Sequence, residues 1–258
     1  MQRFLVLSDF DDTFFFRDDP EETRRSIQAV QAFRARGGLF GFVTGRGFRT
    51  LREDLPGFGS MVDYLIDLNG GYIYESAKRI YHSTISDKGI DAVSRTFDYW
   101  NLGPHRMGDA IVAMNGEKEI SKVKYGISQL WYWSTAKKPI ATMERELAMM
   151  NSVKVFAYYD IPLSHNFHYK HLSWVGADVR HLLEVIPGDG GKENAIAMLA
   201  KRLGPKVKII TAGDDICDLA MLKMWNGYAV RPKPSIVAKI PADRIVSSLS
   251  DVLSQIPL

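Results

Sequence analysis

Short apolar runs separated by polar segments dominate the first third of the 258-residue chain. The runs "FLVLS" (4–8), "LFGFVT" (39–44) and "YLIDL" (64–68) show little alternation between apolar and polar positions. Such runs are typical of strands in a parallel sheet, because helices cover both faces of that sheet. The first third of the chain therefore predicts three buried strands.

The segment "DDPEETRRSIQAVQAFRARGG", which separates the first two runs, has the pattern of a helix. Asp19 suits the N-cap and Pro20 the first helical position, and the apolar residues from Ile27 to Phe33 recur at helical spacing. A strand, a helix and a second strand in succession predict a parallel sheet with right-handed crossovers.

The middle of the chain, residues 84–186, has a different texture. Its period-2 alternation, interrupted by helical patterns, predicts an antiparallel α+β unit and not a continuation of the parallel sheet. All six histidines and four of the five tryptophans lie between His82 and His181, which favours an inserted second domain. The predicted elements are helices over 86–101 and 138–151 and strands near 109–114, 121–134, 153–160, 166–175 and 180–186.

The last third returns to the pattern of the first, after the Pro/Gly-rich segment "IPGDGG" (186–191). It predicts helices over 191–203, 218–225 and 248–256 and strands over 206–213 and 228–230. The predicted fold class is α/β, a parallel Rossmann-like core sheet with helices on both faces. Residues 1–83 and 187–258 form this core, and residues 84–186 form an inserted α+β cap domain.

The composition excludes several classes of protein. A hydrophobic content of 46% and a formal net charge of +3 are ordinary for a globular protein and do not indicate a nucleic-acid surface. Cys217 is the only cysteine, so no internal disulfide can form. The sequence has no recognisable secretory signal and no run long enough to span a bilayer, so we expect a cytoplasmic protein without a membrane partner.

Acidic and hydroxyl side chains follow the predicted strands at the points where those strands end. Because ligands of an open α/β sheet bind beyond the carboxyl ends of its strands, we expect these side chains to meet at one edge. Lys192, at the predicted start of a helix, joins them there. The residues that follow strand ends are Asp9, Asp11, Thr13, Thr44, Gly45, Arg46, Gly213, Asp214, Asp215 and Asp218.

This set of side chains indicates phosphoryl transfer on a small phosphorylated molecule. Clustered carboxylates repel one another, so we expect a hard cation such as Mg²⁺ among them. Thr44 with its neighbouring amides, and Lys192 near a helix N-terminus, suit the oxygens of a phosphate. Asp9 is then placed to attack phosphorus and form an aspartyl phosphate, and Asp11 to give a proton to the leaving oxygen.

Four segments carry a resemblance to a known family. "DFDDT" (9–13), "VTGR" (43–46), the lysine of "GDGGKENAI" and "GDDICDLAML" resemble, in order, the four motifs of the haloacid dehalogenase-like (HAD) hydrolases. The insertion after the second motif and the segment "YLIDLNGGYIY" are similar to the Cof-type and sucrose-phosphatase-like branch, which has a large α+β cap.

The resemblance implies a Mg²⁺-dependent phosphatase that hydrolyses a small phosphomonoester, such as a sugar or polyol phosphate. Asp9 would be the nucleophile and Asp11 the general acid/base, and the cap would select the substrate. The implied metal ligands are Asp9, the backbone carbonyl of Asp11, and Asp214. The implied phosphate-binding residues are Thr44, Gly45 and Lys192, with Thr13, Asp215 and Asp218 in support.

The sequence departs from the family pattern at two positions. Asp12 stands where the family has glycine, so its side chain must point away from the metal. Cys217 stands where the branch has asparagine, so the hydrogen bond of that amide is lost or replaced. Neither change removes a core catalytic group.

Several alternatives stay open from the residues alone. Phosphomutases and phosphotransferases of the same superfamily use the same aspartyl phosphate. A receiver-like signalling module or a non-catalytic phosphate-binding protein also gathers acids, a threonine and a lysine. Arg46 suits a solvent-facing helix start as well as it suits the site.

Overall fold

The structure is a computed structural model that describes residues 2–82 and 190–258 and, between these two ranges, six strands. The chain divides into two compact units, Met1–His82 with Lys192–Leu258, and Ser83–Gly191. Within the described ranges, no helix is both long and apolar enough to cross a membrane.

The strands and helices of the described residues follow one numbering along the chain. The strands are β1 (Arg3–Ser8), β2 (Leu39–Val43), β3 (Tyr64–Asp67), β4 (Tyr72–Glu75), β5 (Lys78–His82), β6 (Ala113–Asn115), β7 (Lys118–Ser121), β8 (Val155–Tyr158), β9 (His168–Tyr169), β10 (Leu172–Ala177), β11 (Leu182–Pro187), β12 (Val207–Gly213), β13 (Tyr228–Val230) and β14 (Ile245–Val246). The helices are α1 (Pro20–Ala35), α2 (Phe48–Asp54), α3 (Lys192–Leu203), α4 (Leu219–Met224), α5 (Pro234–Val237) and α6 (Leu249–Ser254). Short 3₁₀ turns lie at Phe58–Ser60, Leu68–Gly70, Ile216–Asp218 and Ala242–Arg244.

One eight-stranded sheet forms the centre of the first unit, in the order β14-β13-β12-β1-β2-β3-β4-β5. The six strands from β14 to β3 are parallel, which confirms the predicted α/β core. β1 lies between β12 and β2, with Ser8 opposite both Ala212 and Phe42. The residues that follow these three strands therefore emerge side by side at one edge of the sheet.

The sheet also has an antiparallel edge, β4 and β5, that the sequence analysis did not assign. These strands are joined by Ser76 and Ala77, which both have positive φ angles of 46° and 68°. Two left-handed residues suit the tight turn of a hairpin, but the usual sequence signal for that turn is Asn-Gly or Asp-Gly. Ser-Ala is not a usual sequence for this turn, so the sequence did not predict the hairpin.

Helix α1 begins and packs as its sequence pattern predicts. The Asp19 carboxylate accepts a hydrogen bond from the Glu22 amide at 3.0 Å, and Pro20 occupies the first turn. Val30 and Phe33 are fully buried against the sheet side of the unit. The predicted helices and strands of the last third are likewise present, as α3, β12, α4, β13 and α6.

The described strands of the second unit are all antiparallel, as their period-2 pattern predicts. They form a sheet in the order β8-β11-β10-β9 and a separate β6-β7 pair. The single strand predicted over 166–175 is wrong: it is two strands, β9 and β10, that pair with Leu172 opposite Tyr169. The helices predicted over 86–101 and 138–151 lie outside the described residues.

Four phenylalanine rings form the core beneath the edge of the sheet where β1 and β2 end. Phe10 and Phe14, from the segment after β1, each meet the Phe42 ring edge-on, with ring centroids 5.2 and 4.8 Å apart. Phe40 meets Phe42 in the same way at 5.3 Å, and all four side chains are fully buried. Such pairs add stability beyond the apolar area that they bury. The charged loop after β1 is thereby fixed to the core.

Candidate active site

The loop after β1 alternates charged residues with buried aromatic anchors. The amides of Phe14 and Phe15 donate to the Phe10 carbonyl at 3.1 and 2.8 Å, and the Asp12 amide donates to the Phe15 carbonyl at 2.9 Å. Each acid is therefore adjacent to a residue whose position the core determines. These hydrogen bonds and the packing of the buried neighbours restrict the positions of the carboxylates.

Asp12 adopts the left-handed conformation, with φ of 54°. Glycine adopts this conformation without steric cost, which agrees with the glycine that the family has at this position. The Asp12 side chain is exposed, and one of its oxygens lies 3.9 Å from Lys233 Nζ. The loop therefore keeps its shape without the glycine, and the strain at Asp12 is tolerated.

A buried ammonium group connects the two segments of the chain that form the first unit. Lys192 begins α3, and its Nζ donates to Asp9 Oδ1 at 2.7 Å and to Asp218 Oδ1 at 2.6 Å. All three side chains are almost completely buried. Burial alone lowers the pKa of Lys192, but the charges of Asp218 and Asp9 outweigh it and raise that pKa well above its usual value. Lys192 is thus held as a cation.

Asp9, the predicted nucleophile, lies directly beside β12. Its amide donates to the Ala212 carbonyl at 2.8 Å, which continues the parallel pairing for one residue beyond β1. Burial raises the pKa of the Asp9 carboxyl; Lys192 lowers it, and the charges of Asp218 and Asp214 raise it further. A carboxylate in this position is stabilised by every cation that comes near it.

Asp214 follows β12 and brings a second buried carboxylate to the same place. Its Oδ1 accepts a hydrogen bond from the Thr13 hydroxyl at 3.0 Å. Its Oδ2 is buried and has no hydrogen-bond partner among the described residues, although Lys233 Nζ lies 3.4 Å away. Burial raises the pKa of Asp214 to about 7, with a further contribution from the charge of Asp218.

Asp218 holds the loop of the fourth motif together. Its Oδ2 accepts hydrogen bonds from the amides of Asp214 and Asp215 at 3.0 and 3.2 Å, and its other oxygen accepts from Lys192. A Cβ atom on Gly213 would lie 2.6 Å from the Asp218 carboxyl carbon, so only glycine leaves room for this arrangement. Asp218 therefore positions Asp214 and Lys192 at once.

These carboxylates fit a divalent cation. Asp9, Asp214 and Asp218 each offer one oxygen, and the three oxygens lie within 4.8 Å of one another. The buried Asp214 Oδ2 accepts no hydrogen bond from the described residues, and a bound cation satisfies an acceptor of this kind. A set made only of carboxylate oxygens suits Mg²⁺ better than it suits a softer metal. The predicted contribution of the Asp11 carbonyl stays a prediction.

The Asp11 side chain is held by Arg46, which the sequence left open between the site and a solvent-facing helix start. Arg46 Nε donates to Asp11 Oδ2 at 2.7 Å, and a second guanidinium nitrogen donates to Asp11 Oδ1. A third donates to Asp54, and the guanidinium lies 5.0 Å from the centre of the Phe10 ring. Arg46 is thus a well-buried clamp with 17% of its side chain exposed, and not the solvent-facing residue that was the alternative.

Thr44 occupies the end of β2, beside the end of β1, and is fully buried. Its amide donates to the Ile66 carbonyl at 2.9 Å, and its hydroxyl oxygen accepts from the Arg46 amide at 3.1 Å. A hydroxyl that accepts one bond still has its own hydrogen to donate. Gly45, half-buried, lies between the two engaged amides.

Lys233 is a second cation that the sequence analysis did not single out. It follows β13 and donates to Asp215 Oδ2 at 2.8 Å. Burial lowers its pKa, but the hydrogen bond to Asp215 and the charge of Asp214 raise that pKa above its usual value overall. No motif of the sequence contains Lys233, so only the fold connects it with Asp214 and Asp215.

Comparison with known sequences identifies the family. The profile of a family described as haloacid dehalogenase-like hydrolases matches residues 6–249. The chain therefore belongs to the haloacid dehalogenase-like hydrolases, as its four motifs predict. No protein of curated function matches it in sequence.

Solved structures share the fold over the whole chain. The HAD subclass IIB sugar phosphatase BT4131 is 17% identical with a TM-score of 0.65, and covers 97% of this chain and 97% of its own. BT1666 from Bacteroides thetaiotaomicron, a HAD phosphatase, is 18% identical with a TM-score of 0.70, over 96% of this chain and 91% of its own. A HAD/COF-like hydrolase from Plasmodium vivax is 16% identical with a TM-score of 0.69, over 97% and 94%. The chain thus has the fold of the Cof-type branch.

Glycine in place of Asp12 tests the cost of the left-handed loop position. We expect Asp12→Gly to raise the free energy of unfolding and Asp12→Ala to lower it, with a gap of about 1 kcal/mol between the two, because only glycine is unstrained at this φ angle. Both variants lose the exposed contact with Lys233, and that loss changes the free energy of unfolding only a little. Urea denaturation measures the gap, and equal midpoints would contradict the strain.

Removal of the Lys192 ammonium tests the buried ion pairs. We expect Lys192→Met to lower the free energy of unfolding by about 3 kcal/mol, because two buried carboxylates then face each other without a cation. The double variant Lys192→Met with Asp218→Asn should recover part of that loss, since one of the two charges is gone. Urea denaturation in EDTA measures the free energy of unfolding of the single and the double variant. The exposed Lys201→Met is the control. A double variant no more stable than Lys192→Met argues against this explanation.

Proposed function

We propose that the chain is a Mg²⁺-dependent phosphatase that hydrolyses a small phosphomonoester through an aspartyl phosphate on Asp9. The observation that carries the proposal is the buried Asp9 carboxylate, hydrogen-bonded to Lys192 at 2.7 Å and grouped with Asp214 and Asp218. A carboxylate surrounded by a fixed ammonium and a cation-binding cluster is set up to meet a dianionic ester. Family membership supports the hydrolytic class of the reaction.

Asp9 and Asp214 would hold the Mg²⁺ ion, together with the Asp11 carbonyl, while Asp218 keeps these groups in place. The bound ion would offset the negative charge of the phosphoryl oxygens as the nucleophile approaches. Thr44 supports the same task from the neighbouring strand, since its hydroxyl hydrogen is available to a phosphate oxygen. We also assign a phosphate oxygen to Lys192, because its ammonium lies 2.7 Å from Asp9 Oδ1.

In the first step, an oxygen of Asp9 attacks phosphorus and the bond from phosphorus to the ester oxygen breaks. The leaving oxygen takes a proton from Asp11 and departs as the alcohol, and the phosphoryl group stays on Asp9. In the second step, Asp11 accepts a proton from water, which attacks the same phosphorus and releases phosphate. Asp9 and Asp11 are thereby returned to their starting states.

Arg46 decides how Asp11 performs its two tasks. The guanidinium donates to both oxygens of the Asp11 carboxyl, so it would fix the direction in which Asp11 gives and accepts the proton. The stacking of Arg46 on Phe10 and its bond to Asp54 keep the guanidinium in place meanwhile.

A sugar or polyol phosphate is the proposed substrate class. One solved structure with the same fold is named as a sugar phosphatase, which supports that choice. We assign the selection of the substrate to residues 84–186, the predicted cap, since the motifs of the core recognise only the phosphoryl group. A cytoplasmic location is proposed on the composition of the chain.

Loss of the nucleophile tests the proposed reaction. We expect Asp9→Asn to lower kcat for p-nitrophenyl phosphate with Mg²⁺ by about 10³-fold or more, because an amide cannot form the aspartyl phosphate. The exposed Asp18→Asn, which removes the same charge, should turn over normally. Phosphate release by Asp9→Asn at the wild-type rate would rule out the mechanism.

Loss of the clamp tests the role of Arg46. We expect Arg46→Gln to lower kcat by about 10- to 100-fold with a smaller change in KM, because Asp11 then loses the partner that fixes its direction. The control is Arg17→Gln, since Arg17 binds the same Asp54 at 3.3 Å but is 71% exposed. A similar loss in both variants, or a change in KM alone, would show that Arg46 does not position Asp11.

A further inference from the structure

Lys233 is fixed to the fourth-motif loop through its backbone as well as its side chain. It lies between Pro232 and Pro234, and its amide donates to the Asp214 carbonyl at 2.9 Å. The residue before a proline is confined to extended conformations, and Lys233 has φ of −63° and ψ of 150°. The base of the side chain is therefore rigidly placed next to Asp214.

The Lys233 ammonium faces three carboxylates from two different loops. Its Nζ lies 2.8 Å from Asp215 Oδ2, 3.4 Å from Asp214 Oδ2 and 3.9 Å from Asp12 Oδ2. Asp214 Oδ2 is the buried oxygen that has no hydrogen bond in the described part of the chain. The same Asp214 belongs to the cluster that fits a cation. Lys233 and a divalent ion would therefore share one carboxylate.

We infer that Lys233 is a built-in counter-ion of the candidate metal site, which stabilises Asp214 without a metal and weakens the binding of the metal. The inference rests on the metal site of the proposed function, but not on the phosphatase reaction. An ammonium and a divalent ion that approach the same carboxylate repel each other, and at 29% exposure water screens this repulsion only in part. The lysine thus sets the Mg²⁺ concentration at which the site fills.

This role differs from that of Lys192, which pairs with Asp9 and Asp218 on the nucleophile side. Lys192 has two hydrogen-bonded carboxylates and is buried, whereas Lys233 has one such bond and is partly exposed. An ion at Asp214 would leave the bond from Lys233 to Asp215 intact, so the lysine keeps a partner when the metal arrives. Asp215, which was predicted as a supporting acid, is then the residue that retains Lys233.

The test measures Mg²⁺ binding directly, without substrate. Isothermal titration of the full chain with MgCl₂ should give a dissociation constant about 10-fold lower for Lys233→Met than for wild type, because one fixed positive charge is removed. Lys233→Arg keeps the charge and should bind like wild type. The exposed Lys239→Met removes the same net charge at a distance from the site and should also bind like wild type.

Stability in EDTA provides the second readout. Lys233→Met should unfold at a lower urea concentration than wild type when no metal is present, and excess Mg²⁺ should remove the difference. If Lys233→Met does not fold, as judged by circular dichroism, Lys233→Gln replaces it, since its amide can still donate to Asp215.

The outcomes separate this inference from the proposed function. Equal or weaker Mg²⁺ binding by the neutral variant, with wild type binding normally, overturns the role of Lys233 alone. If neither wild type nor the variant binds Mg²⁺, both the metal site and the inference fail. Binding by the variant where wild type shows none would be the strongest support.

Discussion

The structure of the site depends on one buried interaction, the Lys192 ammonium held between Asp9 and Asp218. Three charged side chains with almost no exposure are tolerable only as a hydrogen-bonded set, since an unpaired charge in the interior is very costly. The set connects Asp9, the proposed nucleophile, both to α3 and to the loop after β12. Asp214 takes its place from the same interaction, because Asp218 holds the Asp214 amide with its other oxygen.

The apolar residues around the charged loop also hold the site in place. Phe10 and Phe14 bracket Asp11, Asp12 and Thr13, and both rings pack on Phe42. The acids lie within an apolar segment because the rings fix the loop to the core, while the carboxylates stay at the edge of the sheet where β1 ends. The Phe10 ring also supports Arg46, so one side chain serves both packing and the orientation of Asp11.

The parts of the fold and the site that the sequence predicts are those with a strong local signal. Continuous apolar runs identify β1, β2, β3 and β12, and the residues directly after them include Asp9, Thr44 and Asp214. Arg46 was left open and Lys233 was not assigned, because their partners, Asp54 and Asp215, meet them through the tertiary fold and not through a pattern of spacing. The turn at Ser76–Ala77 was missed for the opposite reason, since its local conformation lacks the usual Asn-Gly or Asp-Gly.

The order of strands has a consequence for synthesis on the ribosome. β1 is made well before its neighbour β12 and well before Lys192, the amine that pairs with Asp9. Until Lys192 has been made, Asp9 therefore lacks the cation that it has in the folded chain, although Asp11 can already pair with Arg46. Long-range closure of this kind delays folding. It also means that a translation product that ends before residue 192 lacks the partner of Asp9, the proposed nucleophile.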